Sequence, residues 1–266
     1  MRKLLHLAAG LLALSTLSHA LAAEPMGEAV SAPAVTSVTV EGTEFVAHLA
    51  DGRVLRSADL VGAVLEVNFG AQPARIRIAA VEPDPKDQTG TVWLHSVEVQ
   101  QADKSWSLYC TPGPDGTRQG FPIEGLHGGP GFSCTSGAVG KCVRVGFRPW
   151  AKGVDDQALA PAHAACVRMM RGDYGGDGRG WTRNGMRIDL YDHREVVDDD
   201  PDLEASFEAG WSTEGAVCVH HPRVSGNVTL AELEERYPHL RGRTGEVCTE
   251  AFARSLGALL YNRSRL

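Results

Sequence analysis

Six cysteines constrain this chain more than any other feature. Cys110, Cys134, Cys142, Cys166, Cys218 and Cys248 are its whole complement, and none precedes residue 110. An even count in an exported chain reads as a disulfide framework, because oxidising compartments turn thiols into bridges. No two cysteines stand at the Cys-x-x-Cys spacing of a zinc knuckle or a thioredoxin-type site. The expectation is three bridges and no metal held by thiolates.

The N-terminus supplies the export signal that this reading needs. "MRKLLHLAAGLLALSTLSHALAAEP" opens with Arg2 and Lys3 and continues through an apolar run from Leu4 to Leu17. It offers small residues for cleavage after Ala20 or Ala22. Residues 1–22 are therefore expected to be a signal peptide. No cysteine stands at the cleavage region, so no lipid anchor is expected, and no later stretch is apolar enough for a membrane span. The formal net charge is -7, and it becomes more negative by two once Arg2 and Lys3 leave with the leader. That balance argues against nucleic acid and against an anionic membrane surface as partners. The expected location is periplasmic or extracellular.

Behind the leader, the chain divides by composition. Residues 23–35 read as a Pro/Ala-rich linker. Residues 36–110 alternate apolar and polar side chains, punctuated by Gly42, Asp51-Gly52 and Gly62, which is the pattern of strands joined by tight turns. "PDPKDQTG" within them reads as a polar loop. Residues 111–266 hold most of the cysteines and the helix signals. "ALAPAHAACVRMMRG" carries Pro161 in its first turn and stops at Gly172. "DPDLEASFEAGW" has the acidic start of a helix. Thr229 and Glu232 have capping-box spacing, with Pro238 ending that helix. "VCTEAFARSLGALLY" places Cys248, Phe252, Leu256 and Leu259 or Leu260 on one helical face. The fold class is α+β: an antiparallel β-rich unit first, then a disulfide-stapled region of mixed helices and strands.

The segment with the most chemistry is "CVRMMRGDYGGDGRGWTRNGMRIDLYDH", residues 166–193. Several readings compete for it. In a structural reading the glycines supply left-handed backbone and the Asp side chains cap local N–H groups, leading through Asn184-Gly185 into a strand. Asp173, Asp177 and Gly178 match positions 1, 5 and 6 of a calcium loop, but Gly175 and Asn184 fall where further ligands belong. A hydrolase would use Asp173, Asp177 or Asp189 as a carboxylate pair, which requires a separation of roughly 5–10 Å across a substrate. His163 and Cys166 stand at i and i+3 on one helix, the spacing of an activated thiolate unless Cys166 is bridged. The candidate catalytic residues are thus Asp173, Asp177 and His163. As a binding surface the loop would offer Asp173, Tyr174, Asp177, Trp181 and Asp189, with its glycines leaving N–H groups open.

"HAACVRMMRGDYGGDGRGWTRNGMRIDLYD" resembles the core of the ADYC domain, a bacterial exported domain named for an Ala-Asp-Tyr-Cys motif. "FSCTSGAVGKCVRVGFRPW", "EAGWSTEGAVCV" and "GALLYNRS" extend the likeness over roughly residues 90–264. The family is of uncharacterised function. The resemblance implies an Ala and a Cys where Gly172 and Gly175 stand, and a Cys-Pro where Tyr237-Pro238 stands. If both of those family cysteines are absent, one whole bridge is lost, and the expectation is that Tyr237 packs in its place. For the remaining six, pairing of sequence neighbours is expected: Cys110–Cys134, Cys142–Cys166 and Cys218–Cys248, closing loops of roughly 23–31 residues.

The functional expectation is an exported, disulfide-stabilised, non-catalytic module that binds an envelope or extracellular partner without a cofactor. A secreted hydrolase acting through the Gly/Asp loop is the alternative.

Overall fold

The computed structural model describes residues 33–69, 72–125, 130–200 and 204–265. The leader and nearly all of the linker, residues 1–22 and 23–35, lie outside them. Residues Val35–Leu266 form one compact unit.

Among the described residues, three antiparallel sheets build it. β1 (Val35–Glu41), β2 (Glu44–Leu49) and β3 (Val54–Arg56) form the first, in that order. Gly42 and Gly52, at φ 61° and 86°, make its two turns. β4 (Val64–Phe69), β5 (Gln72–Pro83), β6 (Trp93–Gln100) and β7 (Trp106–Leu108) follow. β8 (Gly120–Glu124) and β9 (Pro130–Cys134) then complete a sheet ordered β4-β5-β6-β8-β9, with β7 also on β6. This sheet runs across residue 110, so chain from both sides of the first cysteine shares one ladder. Phe45, Ile78 and Leu60 are buried between the two sheets.

The polar stretch after β5 is a loop, as its composition predicts. Asp87 organises it by accepting hydrogen bonds from the N–H groups of Thr89, Thr91 and Val92. Two arginines of the following segment tie it down. Arg144 binds the buried Asp84 through Nε and Nη2, at 2.6 and 2.9 Å, and Arg148 binds Asp87 at 2.7 Å.

α1 (Ala138–Arg144) and α2 (Ala160–Arg171) come next, then β10 (Ile188–Tyr191), β11 (Ser206–Ser212), β12 (Gly215–Val219), α3 (Leu230–Arg236), α4 (Glu250–Ser255) and β13 (Leu260–Ser264). The third sheet is ordered β10-β13-β11-β12. α2 begins with Pro161 and ends on Gly172 in the left-handed region, as its signals predict. α3 carries the Thr229–Glu232 capping box.

Two expectations fail. Residues 206–212, read as a helix from their acidic approach, are the strand β11 at the centre of the third sheet. It is buried on both faces from Glu208 to Trp211, with Ala209 and Trp211 in the main core, and that burial outweighs the charge signal. The last helix stops at Ser255 because Gly257 turns left-handed, at φ 84°, and Leu260 opens β13 instead of continuing a helical face.

The bridges are Cys110–Cys134, Cys142–Cys166 and Cys218–Cys248, with sequence separations of 24, 24 and 30 residues. These are the sequence-neighbour pairs. The first ties the end of β9 to the chain after β7, the second ties α1 to α2, and the third ties β12 to the start of α4.

Candidate functional site

The Gly/Asp loop starts where α2 ends. At Gly172, φ 61°, the chain leaves the helix, and Asp173 and Tyr174 turn inward and are completely buried. Asp173 Oδ2 accepts from Arg168 Nη1 at 2.5 Å and from the N–H of Gly178 at 3.0 Å. The carboxylate thus binds both the helix it follows and the loop it begins.

Tyr174 enters a buried polar network. Its hydroxyl donates to Glu208 Oε1 at 2.9 Å and accepts from the N–H of Arg223 at 3.0 Å. Arg223 grips the same Oε1 through Nε and Nη2, at 2.9 and 2.8 Å. Asn262 Nδ2 donates to Glu208 Oε2 at 2.7 Å, while Asn262 Oδ1 accepts from Trp211 Nε1 at 2.7 Å. The Glu208 and Arg223 side chains are both fully buried. Burial alone would lower the affinity of Arg223 for its proton, but the charge of Glu208 more than offsets it and the guanidinium stays raised. Burial pushes the Tyr174 hydroxyl up, and the Glu208 charge adds to it, so it remains a donor. Asn262 stands in an Asn-x-Ser triplet, yet with both ends of its amide bonded and no exposure it is not a surface acceptor for sugar.

The next glycines are fitted against neighbours. A Cβ on Gly175 would lie 2.0 Å from Cε1 of Tyr237, so that ring fills the space where a side chain at 175 would stand. This is the packing expected from the paired departures at 175 and 237. A Cβ on Gly176, at φ 73°, would strike the carbonyl of Glu214 at the tip of the β11–β12 hairpin. The Tyr174 carbonyl accepts from the N–H of Ala216 on the same hairpin.

Asp177 is exposed at the loop tip. Its Oδ1 accepts from the N–H of Arg179 and its Oδ2 from the Tyr237 hydroxyl, at 2.9 and 3.1 Å. Trp181 is buried under the Arg179 guanidinium, 4.1 Å from its ring centroid. Asn227 Nδ2 donates to the carbonyls of Trp181 and Thr182, both at 3.3 Å, and so pins the loop's exit. Gly185 then turns the chain, at φ 85°, into β10, where Asp189 is buried. Asp189 Oδ1 accepts from the N–H of Asp200, and Oδ2 lies 3.4 Å from Arg263, an ionic contact without hydrogen-bond geometry. Burial raises the Asp189 carboxyl.

The remaining candidates lie elsewhere. His163 is buried on α2, where loss of solvent lowers its pKa. Cys166, beside it, is bonded to Cys142 and has no thiol. Of the five residues read as a binding surface, Asp173, Tyr174, Trp181 and Asp189 are buried, and Asp177 alone is exposed. All three loop carboxylates hold backbone N–H groups. Among the described residues no group of three or more His, Cys, Asp or Glu side chains could hold a metal ion.

Sequence reading missed Glu208, Arg223 and Asn262. The signal for Glu208 was a lone charge inside "SFEAGWS", an alternating stretch whose partners are core aromatics. Read as a strand, that stretch buries a carboxylate, and a buried carboxylate requires a cation.

No curated protein and no solved structure matches the chain. A family model described as the ADYC domain matches residues 57–225. The match takes in Asp173 and Tyr174 of the motif together with Glu208 and Arg223. It reaches back to Ser57, in the turn between β3 and β4, before the earliest of the resembling motifs. With well over half of its length covered, the chain belongs to the ADYC domain family.

Proposed function

We propose that this protein is an exported, non-catalytic binding module of the bacterial envelope or exterior, and that its Gly/Asp loop is the framework of the bound surface. The observation that carries this reading is the use of the loop's carboxylates. Asp173, Asp177 and Asp189 each accept from a backbone N–H, and Asp173 is also neutralised by Arg168. A hydrolytic carboxylate pair needs both groups facing one substrate cleft. Three intramolecular bridges and an export-type leader support a location outside the cytoplasm.

The reading is tested with the mature chain, purified from an exporting host and mixed with envelope fragments of that host. Saturable co-sedimentation is expected. No retention across the concentration series removes the binding reading.

A further inference from the structure

Immediately after the loop, the segment pinned by Asn227 carries a set of cations. Arg183, Arg187 and Arg265 line a depression of about 640 Å³ together with the Pro222–Asn227 segment. No Asp or Glu is among its described lining residues. An adjoining depression of about 320 Å³ shares Arg183 and Arg187 and adds Lys141. Crowding like charges is unfavourable, and surfaces ordinarily intersperse the two signs. On a chain of net charge -7 the segregation is the more conspicuous.

These cations are also little used by the fold. Arg183 makes no ion pair or hydrogen bond among the described residues. Arg187 approaches Asp200 only at 3.8 Å and is 71% exposed. Arg265 donates to a backbone carbonyl, that of Glu204. Arg223 also lines the depression; its Nε and Nη2 are bound to Glu208, and its buried Nη1 has no hydrogen-bond partner among the described residues. Guanidinium groups present a planar donor fork matched to carboxylate and phosphate oxygens.

The rest of the lining defines the ligand further. Met186 and Val224 supply apolar wall. The Asn227 amide nitrogen is committed to two carbonyls, which leaves Oδ1 as an acceptor suited to a hydroxyl rather than to an anion. The volume falls within the few hundred to about 1,000 Å³ typical of small-molecule sites. We infer that the Arg183–Arg187–Arg265 depression binds a sugar-sized molecule bearing at least two oxyanions. This rests on the reading of the protein as a binding module and gives that module its ligand class.

The test titrates the full mature chain with two probes, glucose 1,6-bisphosphate and trigalacturonate, by calorimetry at low and at physiological salt. Phosphate and carboxylate are thereby separated, and the tighter probe names the oxyanion. Saturable binding that weakens with salt is expected for the wild type. Arg75→Ala, a control at an exposed position of β5, is expected to bind equally. Arg183→Ala with Arg187→Ala is expected to weaken binding at least tenfold with an unchanged melting temperature, since both side chains are exposed. Absence of saturable binding of either probe up to the order of 10 mM overturns the inference, and so does equal affinity in the double variant. A wild type that ignores both probes yet still sediments with envelopes would sink the ligand assignment and leave the binding module standing.

Discussion

Removing the Glu208 carboxylate would leave Arg223 charged and buried with no counter-ion, while also taking their acceptor from the Tyr174 hydroxyl and the Asn262 amide nitrogen. Breaking one side of a buried pair typically costs about 3–5 kcal/mol. Glu208→Ala is therefore expected to unfold at much lower denaturant, with Tyr174→Phe losing only about 1–3 kcal/mol. Urea titration of both variants checks the ranking, and equal losses would show that the pair is not the centre of the network. At the loop the pairing of Gly175 with Tyr237 makes a sharper claim. Gly175→Cys with Tyr237→Cys is expected to form a fourth bridge, read as the loss of two further hydrogens in intact mass. Gly175→Cys alone is expected to destabilise, because its side chain has no space beside the Tyr237 ring.

At the scale of elements, α2 and the turn after it behave as one part. Cys142–Cys166 fixes the helix to α1, Gly172 ends it, and the Arg168–Asp173 contact locks the turn to its last residues. Replacing Cys142 and Cys166 together by Ala is expected to lower stability by about 2–5 kcal/mol, measurable as a reduced melting temperature. Calcium and a chelator are expected to leave the wild-type melting temperature unchanged. Asp173 already holds a cation in Arg168, and Asp177 holds Arg179 and Tyr237. A rise with calcium would reopen the metal-loop reading. The elements legible in the sequence were those with local signals. Pro161, Gly172 and the Thr229–Glu232 box act within one turn, so their meaning does not depend on the rest of the chain. β11 was not legible as a strand, because its alternation competes with an acidic approach and is decided by the partners β12 and β13. For the same reason the Gly/Asp loop could be read as a turn while its deeper role could not. Tyr174 reaches Glu208, Arg223 and the β11–β12 hairpin across separations of dozens of residues.

Across the whole molecule, buried imidazoles set the response to acid. His95 is fully buried, its Nε2 is 2.7 Å from the Ser57 hydroxyl, and its ring meets Phe45 and Phe132 edge-on. Burial outweighs the backbone hydrogen bonds of Trp93 and Gly120, which favour the charged ring, and pushes its pKa down to about 4 from an ordinary 6.5. His163 on α2 is lowered for the same reason. A histidine whose folded pKa is depressed takes up its proton more readily in the unfolded chain. Its contribution is complete above pH 6.5 and is lost as pH falls toward the folded value. For His95 that amounts to on the order of 3 kcal/mol between pH 6.5 and about 4. Asp189, raised by burial, works in the opposite sense, since its protonated form is favoured in the fold, and it softens the lower part of this window. Below it Asp87 acts. Burial raises that carboxyl, but four hydrogen bonds from Thr89, Val92 and Thr91 outweigh burial and hold it near 2, so its stabilisation fades between pH 3.8 and about 2. The expected outcome is a urea midpoint steady above pH 7, falling through pH 6 to 4, and falling again below pH 4. His95→Gln should flatten the upper step while keeping a side chain able to reach Ser57. If the upper step survives that substitution undiminished, the acid response does not originate at His95. His163, on α2 with Cys166, would then be the group to replace.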